Sequence, residues 1–381
     1  MISSAGNGLK NSFSGIVESQ FNLVRFDKGN GFRIHPDVEL ALDSNASLNG
    51  IKSADRSVKM LHQCVQNIDQ SVIQRLPREK TGVIMASSRG ASHLLEESYK
   101  RFFDDKKLSP KTSPHTTAGI ISSYLAQNLG LNGGNFSVSS ACTSSLNAIG
   151  TGFHLLNSGL FKALVVGGTE APLTPYTMEI LNRAGVTNNN LDPLPLKSFG
   201  NDIDDLAVKG MVLGEASGLA VLSKEKTEST VAKILSFQMS GESNGLTGLS
   251  PEGHCLAKAI DKALIQANKS PEEIDIISVH GSGTLKGDRA EFNAYKKVFS
   301  DQLPSLLISK WATGHTLGAA GILSLAFATE SLRTGIIPKC PYEVFEHSNR
   351  TSRELSAAPK TALITGLGFG GGASALIIEK V

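Results

Sequence analysis

Apolar residues in this chain gather in short, largely unbroken runs instead of alternating with polar ones. Such runs stand at 82–86, 163–166, 218–222, 274–279, 306–309, 362–365 and 373–378, several of them bounded by glycine. Runs of this length predict strands buried on both faces, as in a parallel or mixed sheet covered by helices. Between them the spacing changes to three and four. Leu146, Ile149, Phe153 and Leu156 mark one face of a helix that should stop near Asn157-Ser158-Gly159. The pattern predicts further helices over 117–129, 255–267 and 316–332. Another should follow the turn Ser87-Ser88-Arg89-Gly90 and run through Leu94 and Tyr99. Residues 11–26 predict a helix followed by an irregular stretch. The proline-marked segments 106–114 and 187–208 read as loops. Strands and helices alternating in both halves predict a layered α/β protein. The charged segment 224–229 is the best internal boundary, dividing an N-terminal half, 1–223, from a C-terminal half, 230–381. No letter-by-letter repeat relates the halves, so duplication is legible only in the order of elements.

Composition narrows the classes. Of 381 residues, 40% are apolar, enough for an extensive core. A formal net charge of +2 gives no reason to expect a nucleic-acid partner. No apolar run reaches the length of a membrane span, and the first residues lack the charged and apolar regions of a signal peptide. The four cysteines, Cys64, Cys142, Cys255 and Cys340, form no Cys-x-x-Cys pair. That argues against a zinc site or a disulfide framework and suits the cytoplasm.

Candidate chemistry begins at Cys142, between a short β-rich run at 136–140 and the first turn of the helix. Free N–H groups and a partial positive charge at a helix N-terminus are expected to lower a cysteine pKa there and to help hold an oxyanion. A small buried residue in a tight turn is the plainer reading of Cys142 alone. Two distant segments shift the balance. His280 follows the run at 274–279 and opens His280-Gly281-Ser282-Gly283-Thr284. His315 lies in Gly314-His315-Thr316-Leu317-Gly318-Ala319-Ala320-Gly321, after one strand and before a helix. All three residues fall at strand C-terminal ends, which converge on the ligand crevice of α/β sheets. His154, mid-helix, reads as structural.

These three motifs, in this order, resemble those of the β-ketoacyl-acyl-carrier-protein synthases, and the likeness runs from about Ile2 to the C-terminus. The resemblance implies a thiolase-like fold of five layers, αβαβα, with two similar α/β halves and mixed sheets. It implies decarboxylative Claisen condensation in fatty-acid or specialised polyene or polyketide synthesis. Cys142 would carry the acyl group as a thioester. His280 and His315 would donate hydrogen bonds to the thioester carbonyl of malonyl-carrier protein. Lys310 and Glu215 match the family's supporting lysine and buried glutamate. Asp288 and Glu291 match positions read as loop anchors. Gly368, Phe369 and Gly370 of the terminal glycine loop, with Thr284 and Thr313, would contact the substrate, and the Phe369 ring would gate the acyl pocket. The implied partners are acyl carrier protein, met by a basic patch for which Lys106, Lys107 and Lys111 are candidates, and a second synthase chain in a homodimer or heterodimer. No metal or organic cofactor is implied, because the phosphopantetheine arm belongs to the substrate.

Some features depart from the family pattern. Almost nothing precedes Ile2 where members open with a strand. Phe199-Gly200 and the stretch 201–209 replace the family's Phe-Asp and Arg-Asp-Gly. Ala373 stands after the glycines where threonine and asparagine are usual. Gly366-Leu367-Gly368-Phe369-Gly370-Gly371 also fits a dinucleotide fingerprint, but a strand, with no helix to receive a pyrophosphate, should follow it. A thiolase would need a second cysteine where Phe369 stands, and an acyl-CoA-using initiator would pair its histidine with asparagine where His315 stands. The remaining alternative is a non-catalytic, chain-length-controlling partner subunit. Such partners typically lose the nucleophile that this chain keeps.

Overall fold

The computed structural model describes residues 1–20, 22–26, 29–33, 54–188, 194, 196–200, 210–243, 245, 248–300, 302–344 and 358–381. Most of the predicted 187–208 loop and all of 201–209 lie outside these residues.

Two mixed sheets dominate. The strands are β1 (Ile2–Ser3), β2 (Gly6–Asn7), β3 (Leu23–Phe26), β4 (Gly29–Phe32), β5 (Thr81–Ala86), β6 (Asn135–Val138) and β7 (Ala163–Glu170). They continue with β8 (Leu213–Gly214), β9 (Ala216–Ser223), β10 (Ala232–Gly241), β11 (Ile276–Ser278), β12 (Ser305–Leu307), β13 (Thr361–Gly368) and β14 (Gly372–Lys380). A six-stranded sheet has the order β2-β1-β9-β7-β5-β6 and a five-stranded sheet the order β10-β14-β13-β11-β12. In the first, β5 runs parallel to β6 and β7, and β9 is antiparallel to β7. In the second, β11 runs parallel to β12 and β13, and β14 is antiparallel to β13. A further antiparallel strand follows in each, β1 on β9 and β10 on β14, and in the first sheet β2 pairs antiparallel with β1 beyond it. The two halves therefore share one topology without sharing letters.

The unbroken apolar runs form the central strands. β5, β7 and β13 are buried along their whole length. The helices Ser144–Asn157 and Ala320–Thr334 lie between the sheets and touch strands of both. The helices Arg56–Gln66 and Ile120–Leu129 cover the outer face of the first sheet, and His254–Ala267 covers that of the second, with Leu285–Phe299 packed on it. These are the five layers expected. One apolar core, including Leu146, Ile149, Ile277, Ile322 and Leu376, joins both sheets through the middle helices. The approach is close. A Cβ at Gly150 would stand 2.0 Å from the Phe237 ring of β10, so the middle helix lies against the second sheet only with glycine there.

Differences from the sequence reading are local. The N-terminal helix spans Leu9–Val17, and β3 occupies the end of the stretch expected to be irregular. Ile2–Ser3 itself pairs with Ser217 of β9, so a two-residue strand occupies the opening position. The predicted 316–332 helix is split into a 3-10 turn, Leu317–Ala319, and the helix Ala320–Thr334. The helix Arg56–Gln66, the helix Pro175–Arg183, β10 and the small β3-β4-β8 sheet were not anticipated. After the glycine run the chain turns directly into β14, antiparallel to β13, so no helix follows the dinucleotide-like motif.

Candidate active site

Cys142 and His315 occupy equivalent places in the duplicated topology. Cys142 lies between β6 and the first middle helix, and His315 between β12 and the second. His280 follows β11, the central parallel strand of its sheet.

The turn carrying Cys142 is tight. Ala141 has φ 51°, a left-handed conformation that costs a residue with a Cβ about 1 kcal/mol or more. Local hydroxyls hold it there. Ser144 Oγ donates to Ala141 O at 2.6 Å, and Ser140 N–H donates back to Ser144 Oγ at 2.8 Å. Asn147 Nδ2 donates to Ser140 Oγ at 2.8 Å, and Ser374 Oγ of β14 donates to Asn147 Oδ1 at 2.6 Å. The second sheet thus steadies the elbow of the first.

The thiol is buried against Leu173, Leu213 and Leu317. This reverses one expectation. The start of a helix should lower the Cys142 pKa, yet burial pushes it up to about 12. The Lys310 charge opposes that rise, and the Glu170 charge adds to it. Loss of hydration for a thiolate outweighs the partial charge of one helix end, so the resting group is the neutral thiol. Iodoacetamide should alkylate Cys142 about tenfold faster for each pH unit between about pH 7 and pH 9, because the thiolate fraction keeps rising below its pKa. A plateau by about pH 8 would contradict this account. Lys310→Met should slow alkylation further.

His280 and His315 face each other edge-on, with ring centroids 5.3 Å apart. Burial, then the Lys310 charge, holds both imidazoles well below their ordinary pKa, and for His280 the His315 ring adds to the effect. Both are neutral near pH 7. The Leu317 backbone N–H donates to His315 Nδ1 at 3.1 Å. Nδ1 is therefore an acceptor, and the ring's proton sits on Nε2. His315 Nε2 is buried and has no hydrogen-bond partner among the described residues. A buried N–H left this way costs about 1–3 kcal/mol, which a substrate oxygen would recover.

Lys310 is also buried. Its Nζ donates to the His280 carbonyl oxygen. Burial pushes its pKa down, and the charges of Glu291, Cys142 and Asp288 oppose that. Glu215, the expected buried glutamate, is fully buried, and its two oxygens bind Arg56, at 2.8 and 2.9 Å. The acids acting on Lys310 are Glu291 and Asp288. They also anchor the His280 loop. Glu291 accepts from His280 N–H at 2.6 Å, Gly281 N–H at 2.7 Å and Thr365 Oγ1 at 2.9 Å. Asp288 accepts from Gly283 N–H and Phe199 N–H, each at 3.0 Å.

A Cβ on Gly368 would stand 3.3 Å from Ser140 O, which places the end of β13 against the nucleophile turn. Phe369 and Gly370 form the hairpin tip, with Phe369 39% exposed. Thr284 caps the helix Leu285–Phe299, accepting from Gly287 N–H at 3.2 Å. Thr313 is buried, and its hydroxyl points to the Ser309 and Gly314 carbonyls. Glu170 had no place in the sequence reading. It ends β7, is fully buried, and accepts from Ser87 Oγ, Ser88 N–H, Ser88 Oγ, Arg89 N–H and Gly318 N–H at 2.7–3.0 Å. An acidic residue closing an otherwise apolar buried strand was the signal available. Among the described residues no group of histidine, cysteine or acidic side chains could hold a metal.

A cysteine elbow and a histidine turn at matching points of a duplicated, five-layered α/β architecture define a thiolase-like protein. Comparison with known proteins gives the family. The β-ketoacyl synthase N-terminal domain matches residues 44–228, and the β-ketoacyl synthase C-terminal domain matches residues 231–342. The tetracenomycin polyketide synthase ketoacyl synthase alpha subunit of Streptomyces glaucescens is 33% identical over 260 residues, which span 64% of this chain and 59% of that subunit. The 3-oxoacyl-[acyl-carrier-protein] synthase 2 of a Synechocystis strain is 28% identical over an alignment of 407 positions, covering 100% of this chain and 96% of that enzyme. A solved structure of the ishigamide ketosynthase/chain length factor superposes with a TM-score of 0.85 at 21% identity, over 100% of this chain and 97% of that one, a likeness of fold. The chain belongs to the β-ketoacyl synthase family and is a condensing enzyme of that class.

Proposed function

We propose that this chain condenses malonyl-carrier protein with an acyl group held on Cys142, in fatty-acid or specialised polyene or polyketide synthesis. The observation that carries the reading is the buried, unpartnered Nε2–H of His315, 5.3 Å ring to ring from a second neutral imidazole. In the first half-reaction the Cys142 sulfur attacks the acyl thioester carbonyl. The carrier's thiol leaves and takes up the proton that the cysteine loses. In the second, the bond from the malonyl α-carbon to its carboxylate breaks, and carbon dioxide departs. The electron pair stays as an enolate whose oxygen accepts from His280 and His315, neutral donors that lose nothing to a competing charge. The enolate carbon attacks the acyl-Cys142 carbonyl, and the cysteine leaves as thiolate and regains a proton from water. Lys310 holds the His280 carbonyl and eases formation of that thiolate. Gly368, Phe369 and Gly370 would border the acyl entrance, with Phe369 as its gate. Thr284 and Thr313 keep acceptor lone pairs for the substrate arm, and Glu215 with Arg56 supports the fold around the site.

The partners that fit are acyl carrier protein and a second synthase chain. The relative from Synechocystis is named for its carrier-protein substrate, and the ishigamide structure joins a ketosynthase to a chain length factor. Lys106, Lys107 and Lys111 are exposed, as a surface for an acidic carrier requires. Among the described residues no helix is long and apolar enough to cross a membrane, and we place the enzyme in the cytoplasm. Mass spectrometry after incubation with acyl-carrier protein tests the reading. Cys142 should gain the acyl mass, whereas a chain that never acylates would be a non-catalytic partner subunit.

A further inference from the structure

We propose that Glu170 is a positioning residue for His315, holding the peptide that sets which ring nitrogen carries the proton. This rests on the condensing role given to His315 above. The tautomer depends on one donor, the Leu317 N–H on Nδ1 at 3.1 Å. Leu317 has φ 42°, a left-handed conformation in which a branched side chain is strained. Left to itself, this turn would relax and rotate its peptides. The next peptide is caught. Gly318 N–H donates to Glu170 Oε2 at 2.9 Å. Glu170 is fixed in turn by the loop after β5, through Ser87 Oγ and Arg89 N–H on Oε1 and Ser88 N–H and Oγ on Oε2. Every one of these neighbours presents a donor, the environment of an acceptor-only carboxylate. The contact also needs glycine. A Cβ at 318 would stand 2.5 Å from Glu170 Oε2 and 2.5 Å from Ser88 N. A buried carboxyl group thus links the end of β7 to the strained turn, and the turn leaves Nε2–H free for a substrate oxygen.

A purely structural Glu170 would merely anchor the Ser87–Ser88–Arg89 loop, so the test separates the two contacts. Enzyme labelled with ¹⁵N-histidine is compared as wild type, Glu170→Gln, Gly318→Ala and Ser87→Ala/Ser88→Ala. The ring-nitrogen shifts of His315 report its tautomer without reference to activity. Wild type and the double serine variant should show a bare Nδ1 and a protonated Nε2. Glu170→Gln and Gly318→Ala should show a mixture. Their kcat for malonyl-carrier decarboxylation should fall about 10- to 100-fold, with KM for the carrier little changed. If Glu170→Gln does not fold, Gly318→Ala gives the same reading by forcing the turn away from both the carboxylate and the Ser88 backbone. An unchanged His315 pattern in the folded variants overturns the proposal. A wild type that shows the tautomer but never decarboxylates malonyl-carrier protein would instead sink the condensing role and leave the positioning intact.

Discussion

Cys142→Ala should reduce condensation by at least about a thousandfold while leaving the protein folded. The loss is large because both half-reactions pass through the sulfur. It receives the acyl group in the first, and its thioester is the electrophile in the second. The fold should tolerate the change. The thiol packs in a small apolar cluster with Leu173, Leu213 and Leu317, and alanine removes a single heavy atom there. The cost to stability should be about 1 kcal/mol or less. The serine and asparagine bonds that hold the left-handed Ala141 do not involve the sulfur. Product formation from acyl- and malonyl-carrier proteins, with a denaturant titration of the variant, measures both halves of this expectation. Condensation surviving in a folded Cys142→Ala enzyme would remove the proposed nucleophile.

His280→Ala and His315→Ala should each slow malonyl decarboxylation by about 10²- to 10³-fold, as expected for loss of one oxyanion donor in a dry site. Transfer of the acyl group onto Cys142 should suffer less, because the enolate oxygen exists only in the second half-reaction. The two steps can be read separately, by acyl mass on Cys142 and by carbon dioxide release. The pH profile has a defined sign. Both imidazoles are held well below their ordinary pKa, so as pH falls through about 6.5 they stay neutral and remain single-proton donors. Decarboxylation should therefore hold its rate from about pH 8 down to about pH 6. A decline centred on the ordinary histidine pKa would show solvated rings and contradict the burial described here. Wild-type decarboxylation by His315→Ala would end its proposed role.

Much of this site was legible because its parts are local. The turn around Cys142, the glycines around His280 and His315 and the terminal glycine loop each announce themselves within a few residues. The buried strands were legible for a similar reason, since an apolar run of four to six residues has few other uses. What escaped depended on neighbours far away in the chain. β10 alternates apolar and polar residues, and its exposure pattern follows from lying at the sheet edge beside β14. Glu215 stood out only by its place in a motif. Its partner, Arg56, stands 159 positions earlier on a helix that gave no distinct signal. Glu170 was invisible as a site residue because its donors come from two loops, one of them 148 positions away.

The amino-acid order alone determined the layered α/β class, the three candidate side chains and the turns that carry them. Those properties follow from periodicity, glycine and residue chemistry within short windows. Only the tertiary structure decided the protonation states. A helix end taken alone lowers a thiol pKa, but enclosing Cys142 against Leu173, Leu213 and Leu317 reverses the sign, because a desolvated thiolate costs more than one partial charge returns. The same enclosure keeps both histidines neutral, and a single backbone N–H decides that His315 keeps its proton on the unpartnered Nε2. Dielectric and hydrogen-bond direction are properties of the packed chain, and no local window of sequence contains them.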